Sequence, residues 1–311
     1  MSTTVRSTGA GVSLRRSKAH PAERVIEAVL FLAALVSVLT TVGIVVAIIG
    51  PTISFFREPA VSLWDFLTGT EWTVLFAEKK FGVLPLVTAT ITTTVIALLV
   101  AVPIGLGAAI YLSEYASPRA RTLLKPTLEV LAGIPTVVYG FFALAFVTPN
   151  LLQTFIDVGT FSMLSAGLVM GIMIVPTVAS LSEDAMSAVP QALRDGAYGL
   201  GSTKMQVAVR VVVPAAISGI IAAFVLGISR AVGETMIVVL AAGSTPNLSV
   251  NPLEPGQTMT AFIAQAASGD QPTGSIGYKS LFAVAALLFV ITVLMNFVSI
   301  RLVRRYREVY E

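Results

Sequence analysis

The chain has 311 residues, 55% of them hydrophobic and 12% charged, with a mean hydropathy of +0.87. Soluble domains carry about 25% charged residues, and half that charge does not cover a water-exposed surface, so a soluble globular protein, a disordered chain and a collagen-like fibre are excluded. There is no cysteine, which removes disulfides and thiolate chemistry, and the small cationic excess (20 Lys+Arg against 17 Asp+Glu) takes its meaning from where it falls along membrane segments.

A bilayer-spanning helix needs about 20 mostly apolar residues. The Ser/Thr/Gly-rich start reads as a disordered tail over 1–24. The uncharged run Ala28–Phe56 is too long for a signal-peptide core of about 7–15 residues, so it reads as a retained helix, and 25–80 comprises this helix and an outer segment. That segment, Pro51–Lys80, contains Trp64, Trp72 and several Phe, which suits an aromatic belt at the membrane interface. Further uncharged runs follow at Phe81–Ser113, Val130–Ile156, Val158–Ser182, Val211–Ser229 and Ser280–Ile300. The fifth run continues through Arg230 and Glu234 to about Gly243, and Ser244–Lys279 reads as an outer loop rich in Gly, Pro, Ser and Thr. The expectation is an all-α polytopic membrane protein with six transmembrane helices, a core over 81–301 and a short tail over 302–311.

The cations fix an expected orientation. With the N-terminus inside, the inner side receives Arg6, Arg15, Arg16, Lys18, Arg24, Arg119, Arg121, Lys125, Arg194, Lys204, Arg210, Arg301, Arg304, Arg305 and Arg307. The outer side receives Arg57, Lys79, Lys80 and Lys279. An excess of inner cations is the rule for membrane proteins, so both termini are expected in the cytoplasm.

The inner stretch Ser182–Pro214 is helix-compatible and polar, with Gly201-Ser202 as the joint between two short amphipathic helices and Pro214 suited to the first turn of the fifth span. Within it, Asp195-Gly196-Ala197 is followed after three residues by Gly201, and after nine more by Val211-x-Val213-Pro214. This resembles the inner loop of binding-protein-dependent ABC importer permeases: Glu-Ala-Ala, three residues, Gly, nine residues, Ile-x-Leu-Pro. Ala197, Gly201 and Pro214 are identical to that pattern, while Asp195, Gly196, Val211 and Val213 are departures of similar character. The resemblance implies a type I ABC importer permease fold, in which the loop docks into a groove on an ATPase. No G-x-x-x-x-G-K-[ST] phosphate loop occurs in the chain, so the ATPase is expected to be a separate polypeptide.

Inside the fifth span, Gly227-Ile228-Ser229-Arg230-Ala231-Val232-Gly233-Glu234-Thr235 carries two charges four residues apart, a spacing at which they pair on one helical face. Intramembrane charges usually face a bundle interior and mark a substrate path; an Arg–Glu lock between helices is the alternative. Arg presents a planar, permanently charged fork suited to oxyanions. Gly133-Ile134-Pro135, followed by Thr136, is placed to break the third span and expose backbone N–H groups to a cavity, or simply to kink it.

Phe81–Thr90, Ala109–Ala116, Leu131–Phe142 and Arg230–Glu234 resemble the PstC-type branch of the same family, a phosphate permease subunit, over roughly Phe81 to Arg301. That resemblance implies a PstA-type second permease, two ATPase subunits and an extracytoplasmic phosphate-binding protein. Molybdate and sulfate permeases share the Arg-Ala-x-Gly-Glu pattern, so those anions stay open. An ion-coupled secondary carrier needs more intramembrane carboxylates than Glu234 and leaves the inner loop unexplained. An enzyme is disfavoured because His20, in the polar tail, is the sole histidine; no metal or cofactor is expected.

Overall fold

The computed structural model describes residues 21–74, 78–269 and 271–305. The tails expected at 1–20 and 306–311 lie outside the described residues, whereas Pro21–Arg24, read from sequence as tail, form the first turn of a helix. The chain divides into two compact units, Met1–Ala47 and Ile48–Glu311, a different division from the boundaries at 24 and 80.

Helix α1 (Pro21–Phe56) runs from the first unit into the second. In the first unit its apolar side chains are exposed on every side, among them Val25, Leu30, Phe31, Val36 and Leu39. A helix that is apolar all round belongs in a membrane.

The second unit contains α2 (Leu63–Thr68), then α3 (Leu84–Ile110), which closes in a π-helical turn, Tyr111–Tyr115. An amphipathic helix, α4 (Pro118–Ala132), precedes α5 (Thr136–Phe142), which continues as a π-helical stretch, Ala143–Leu152. Next come α6 (Met163–Ser187), the short α7 (Gln191–Gly199) and α8 (Lys204–Val207), whose path runs on to Ala215. The remaining helices are α9 (Ile217–Val232), α10 (Met236–Ala241), α11 (Met259–Ser268) and α12 (Ile276–Arg305). Five helical stretches are long and apolar enough to cross a bilayer, and a sixth results if Lys204–Ala215 and Ile217–Val232, bent by 73°, count as one span. The bend falls at Ala216, so Pro214 lies just before it rather than opening α9. The third span starts at Thr136; Val130–Ala132 belong to α4, which buries none of its residues.

Small residues set the closest packing. A side chain on Gly171 would collide with the Ala97 carbonyl and Val100, one on Gly167 with Ile96, and one on Gly105 with Val178, so α3 and α6 approach backbone to backbone. Membrane helices lack a hydrophobic drive toward each other and associate by such close contact. Ala97, Ala101, Ala166, Met170, Met173 and Ile174 form the centre of this core.

Two outer-segment expectations change. Trp72 is buried, packed edge-on to Phe262 with ring centroids 4.9 Å apart, and Phe55, Phe66 and Phe81 join the same cluster, while Trp64 is exposed. The aromatics thus fill a core instead of lining the interface, because the Trp72–Phe81 bridge turns the chain back onto α11 and α12. The outer loop also contains a helix: Thr258 caps α11 by accepting from Ala261 N at 3.2 Å, and Met259, Ala261 and Phe262 are buried.

Candidate functional site

Two breaks, one within a span and one just before a span, each precede a half-helix, and these half-helices pack on each other. The fifth span is interrupted at Gly233-Glu234-Thr235, between α9 and α10. The third is preceded by Gly133-Ile134-Pro135, between α4 and α5, as the sequence leads one to expect. The half-helices α5 and α10 pack on each other where Gly140 faces Met236 O, Ile237 and Leu240; an added Cβ would sit 3.0 Å from that carbonyl. Tyr139 reaches back over the first break, its hydroxyl donating to the Leu131 carbonyl at 3.0 Å.

Arg230 lies about 20 Å along α9, at 1.5 Å per residue. Its Nη1 donates to Thr177 Oγ1 at 2.9 Å, on α6 one residue beyond Pro176. The expected Arg230–Glu234 pair does not form. The helix ends at Gly233, so the four-residue spacing no longer places the two side chains on one face. Glu234 is buried, and its Oε1 accepts from Met236 N at 3.0 Å and Ile237 N at 3.2 Å, satisfying the first free donors of α10. Its backbone carbonyl accepts from Thr260 Oγ1 at 2.6 Å, which ties the break to α11. Among the described residues no carboxylate lies within ion-pair distance of Arg230.

The other break does not present the donors expected of it. Gly133 N donates to Val130 O at 3.0 Å and Ile134 N to Leu131 O at 3.3 Å, while Pro135 has no N–H and caps α5 with its carbonyl. No hydrogen bond links Gly133, Pro135 or Thr136 to Arg230 or Glu234 among the described residues; the connection runs through α5 against α10.

The loop motif forms the two short helices foreseen. Asp195, Gly196 and Ala197 lie on α7, the first two exposed. Gly201, at φ 82°, donates to Tyr198 O at 2.9 Å, and Ser202 N donates to Ala197 O at 3.1 Å. These two bonds with a left-handed glycine between them make a Schellman ending, which explains why glycine occupies this position. Thr203 and Gln206 then form a reciprocal capping box that starts α8. Val212 is buried and Val211 and Val213 half-buried, in a cluster with Met186, Val207, Ala216 and Ile220, while Pro214 is exposed.

The ion pairs under the loop were not foreseen. Glu183, with a fully buried side chain, receives hydrogen bonds from Arg121, from Lys125 at 2.7 Å and from Ser187 at 2.7 Å. Lys125 also pairs with Asp184; these bonds, Asp184 first, hold its ammonium above the ordinary lysine value. Arg194 pairs with Glu114. No local signal announces these partners, because Arg121 and Glu183 are 62 residues apart and Glu114 and Arg194 are 80 apart.

Comparison with known proteins gives a consistent picture. Residues 101–308 match the family described as "Binding-protein-dependent transport system inner membrane component". A probable ABC transporter permease protein, YqgH of Bacillus subtilis, is 35% identical over 87% of this chain and 86% of its own length. The phosphate transport system permease protein PstC of Xylella fastidiosa is 35% identical over 73% of this chain and 75% of its own. Among solved structures, a chain of a bacterial alginate ABC importer superposes with a TM-score of 0.61 at 15% identity, covering 92% of this chain and all of that one. A chain of the inward-facing MetNI methionine ABC transporter gives 0.55 at 17% identity, over 73% and 95%. At these identities the structures speak to fold alone.

Proposed function

Because the chain belongs to the binding-protein-dependent transport family of inner-membrane permeases, we propose that it is the PstC-type permease of an ATP-driven phosphate importer. As a member it is a multi-pass membrane subunit, not an enzyme, and ATP is hydrolysed by a separate ATPase. Such permeases work with a second permease, an ATPase and a binding protein; the second permease is read here as PstA-type, the ATPase as two copies, and the binding protein as specific for phosphate. Both termini and the Asp195–Pro214 loop face the cytoplasm, following the distribution of cations. Asp195, Gly196, Ala197, Gly201, Val211, Val213 and Pro214 form the loop that receives the ATPase.

The observation carrying the anion reading is Arg230. It is a permanent charge inside a span, held by one neutral hydroxyl, that of Thr177, with no carboxylate in pairing distance among the described residues. Intramembrane cations without a counter-ion are costly, and a passing oxyanion supplies the missing charge. Glu234 serves this path by holding the break open in one shape, and Gly133, Pro135 and Thr136 shape its other wall through α5. The PstC relatives favour phosphate over molybdate or sulfate.

The test compares phosphate uptake with subunit assembly. Arg230→Lys keeps charge but loses the fork, and Arg230→Gln loses both. A charge-assisted bond of about 1.5–3 kcal/mol corresponds to a fall in uptake of about 10- to 100-fold for Arg230→Gln. Assembly is expected to survive, since a glutamine amide at this position can still donate to the Thr177 hydroxyl. Full uptake in Arg230→Gln would eliminate the anion-path role, and rescue by Arg230→Gln with Glu234→Gln would hand the site to a structural lock.

A further inference from the structure

The loop that meets the ATPase is fastened to the spans by its apolar cluster and by one buried arginine. Arg194, on α7, has a side chain only 10% exposed. Its Nη1 donates to the Val189 carbonyl at 2.5 Å, and its Nη2 donates to the Met186 carbonyl at 2.8 Å and to Glu114 Oε1 at 3.1 Å. The two carbonyls belong to the end of α6 and the residues just after it, where carbonyls lack helical partners. Glu114, 5% exposed, sits in the π-helical turn closing α3 and also accepts from Ser113 Oγ. The second loop helix rests on the same turn. Lys204 Nζ lies 5.0 Å from the centre of the Tyr115 ring, and the Tyr115 hydroxyl donates to the Met205 sulfur at 3.8 Å.

A loop that served only as a connector would leave such charges in water. Burying both is costly unless the geometry satisfies them fully, and here one guanidinium meets three acceptors on two spans. Only arginine offers several donors in a rigid plane.

We propose that Arg194 is a positioning residue for energy coupling. It makes α7 rigid with the ends of α3 and α6, so displacement of the loop by an ATPase subunit moves the spans instead of bending the loop. The proposal rests on reading the Asp195–Pro214 loop as the ATPase-coupling loop.

The chain has no cysteine, so Ala192→Cys on α7 and Leu99→Cys, exposed on α3, can be spin-labelled in the complete transporter assembled with cysteine-free partner subunits. The wild-type distance distribution is expected to be narrow and unchanged by ATP. In Arg194→Lys it is expected to broaden and shift with ATP, while ATP hydrolysis stimulated by phosphate-loaded binding protein falls about fivefold or more. Glu114→Gln, which leaves the fork its two carbonyls, is expected to assemble and to show the same change in smaller degree. Gly201→Val at the loop turn serves as the control. If it leaves coupling intact, the coupling reading of the loop fails and the proposal with it. If it uncouples while Arg194→Lys and Glu114→Gln keep the wild-type distance and stimulation, Arg194 is not the joint. Should Arg194→Lys fail to assemble, Glu114→Gln decides, and failure of both to assemble would make the pair purely structural.

Discussion

Glu183 shows how a single carboxylate holds an otherwise unpacked helix. α4 buries no residue, yet Arg121 and Lys125 bind it to α6 through this one buried group. Replacing Glu183 by Ala removes the common acceptor and leaves Lys125 with Asp184 and Arg121 with the Ser187 hydroxyl. The loss is expected to be about 1–3 kcal/mol, below that of a fully buried pair because Arg121 and Lys125 remain partly exposed. Glu183→Gln should lose less, since its amide oxygen still accepts a hydrogen bond. Thermal unfolding of the purified complex measures both, and equal melting of Glu183→Ala and wild type would refute the assignment. The pH dependence has a definite sign. A raised lysine contributes stability that is complete below the ordinary value of 10.5 and lost as pH rises through the higher folded value, so Lys125 leaves stability flat through the neutral range.

At the scale of the element, the loop turn gives the sharpest prediction. Nothing lies within 4 Å of a side chain placed on Gly201, so a substitution there acts through backbone conformation alone. Gly201→Val should cost about 1–2 kcal/mol locally, fray the α7–α8 junction and lower import per ATP while the spans insert normally. Normal transport with the ATPase still bound would contradict it. The helical runs, the break at Gly133-Ile134-Pro135 and this turn were legible in the sequence because charge spacing, Gly-Ile-Pro and the loop motif are local signals, whereas the break at Gly233 was not. The Arg230–Glu234 pair was misread because the four-residue rule presumes a continuous helix, and the end at Gly233 removes it. The burial of Trp72 and the helix within the outer loop depend on contacts with distant segments, which no periodicity encodes.

For the molecule as a whole, orientation is the property to test. A reporter fused after Glu311, or within the Leu193–Lys204 stretch, should read as cytoplasmic, and one placed between Asn251 and Gly274 as external. An external C-terminus would overturn the orientation together with the coupling argument that uses it.

The bare helix of the first unit bears on how the protein is made. Between Ala28 and Val46 it carries no charge, and its Thr40 and Thr41 hydroxyls bond carbonyls of their own helix, so lipid accepts it and it requires no protein neighbour to become stable there. It is synthesised before the other described spans, and Arg6, Arg15, Arg16, Lys18 and Arg24 precede its apolar stretch. It can therefore enter the bilayer while most of the core is still unmade, and the side on which those cations stay decides the sidedness of every later segment. The broken spans, whose half-helices α5 and α10 pack on each other, are then threaded by a chain already anchored at one end.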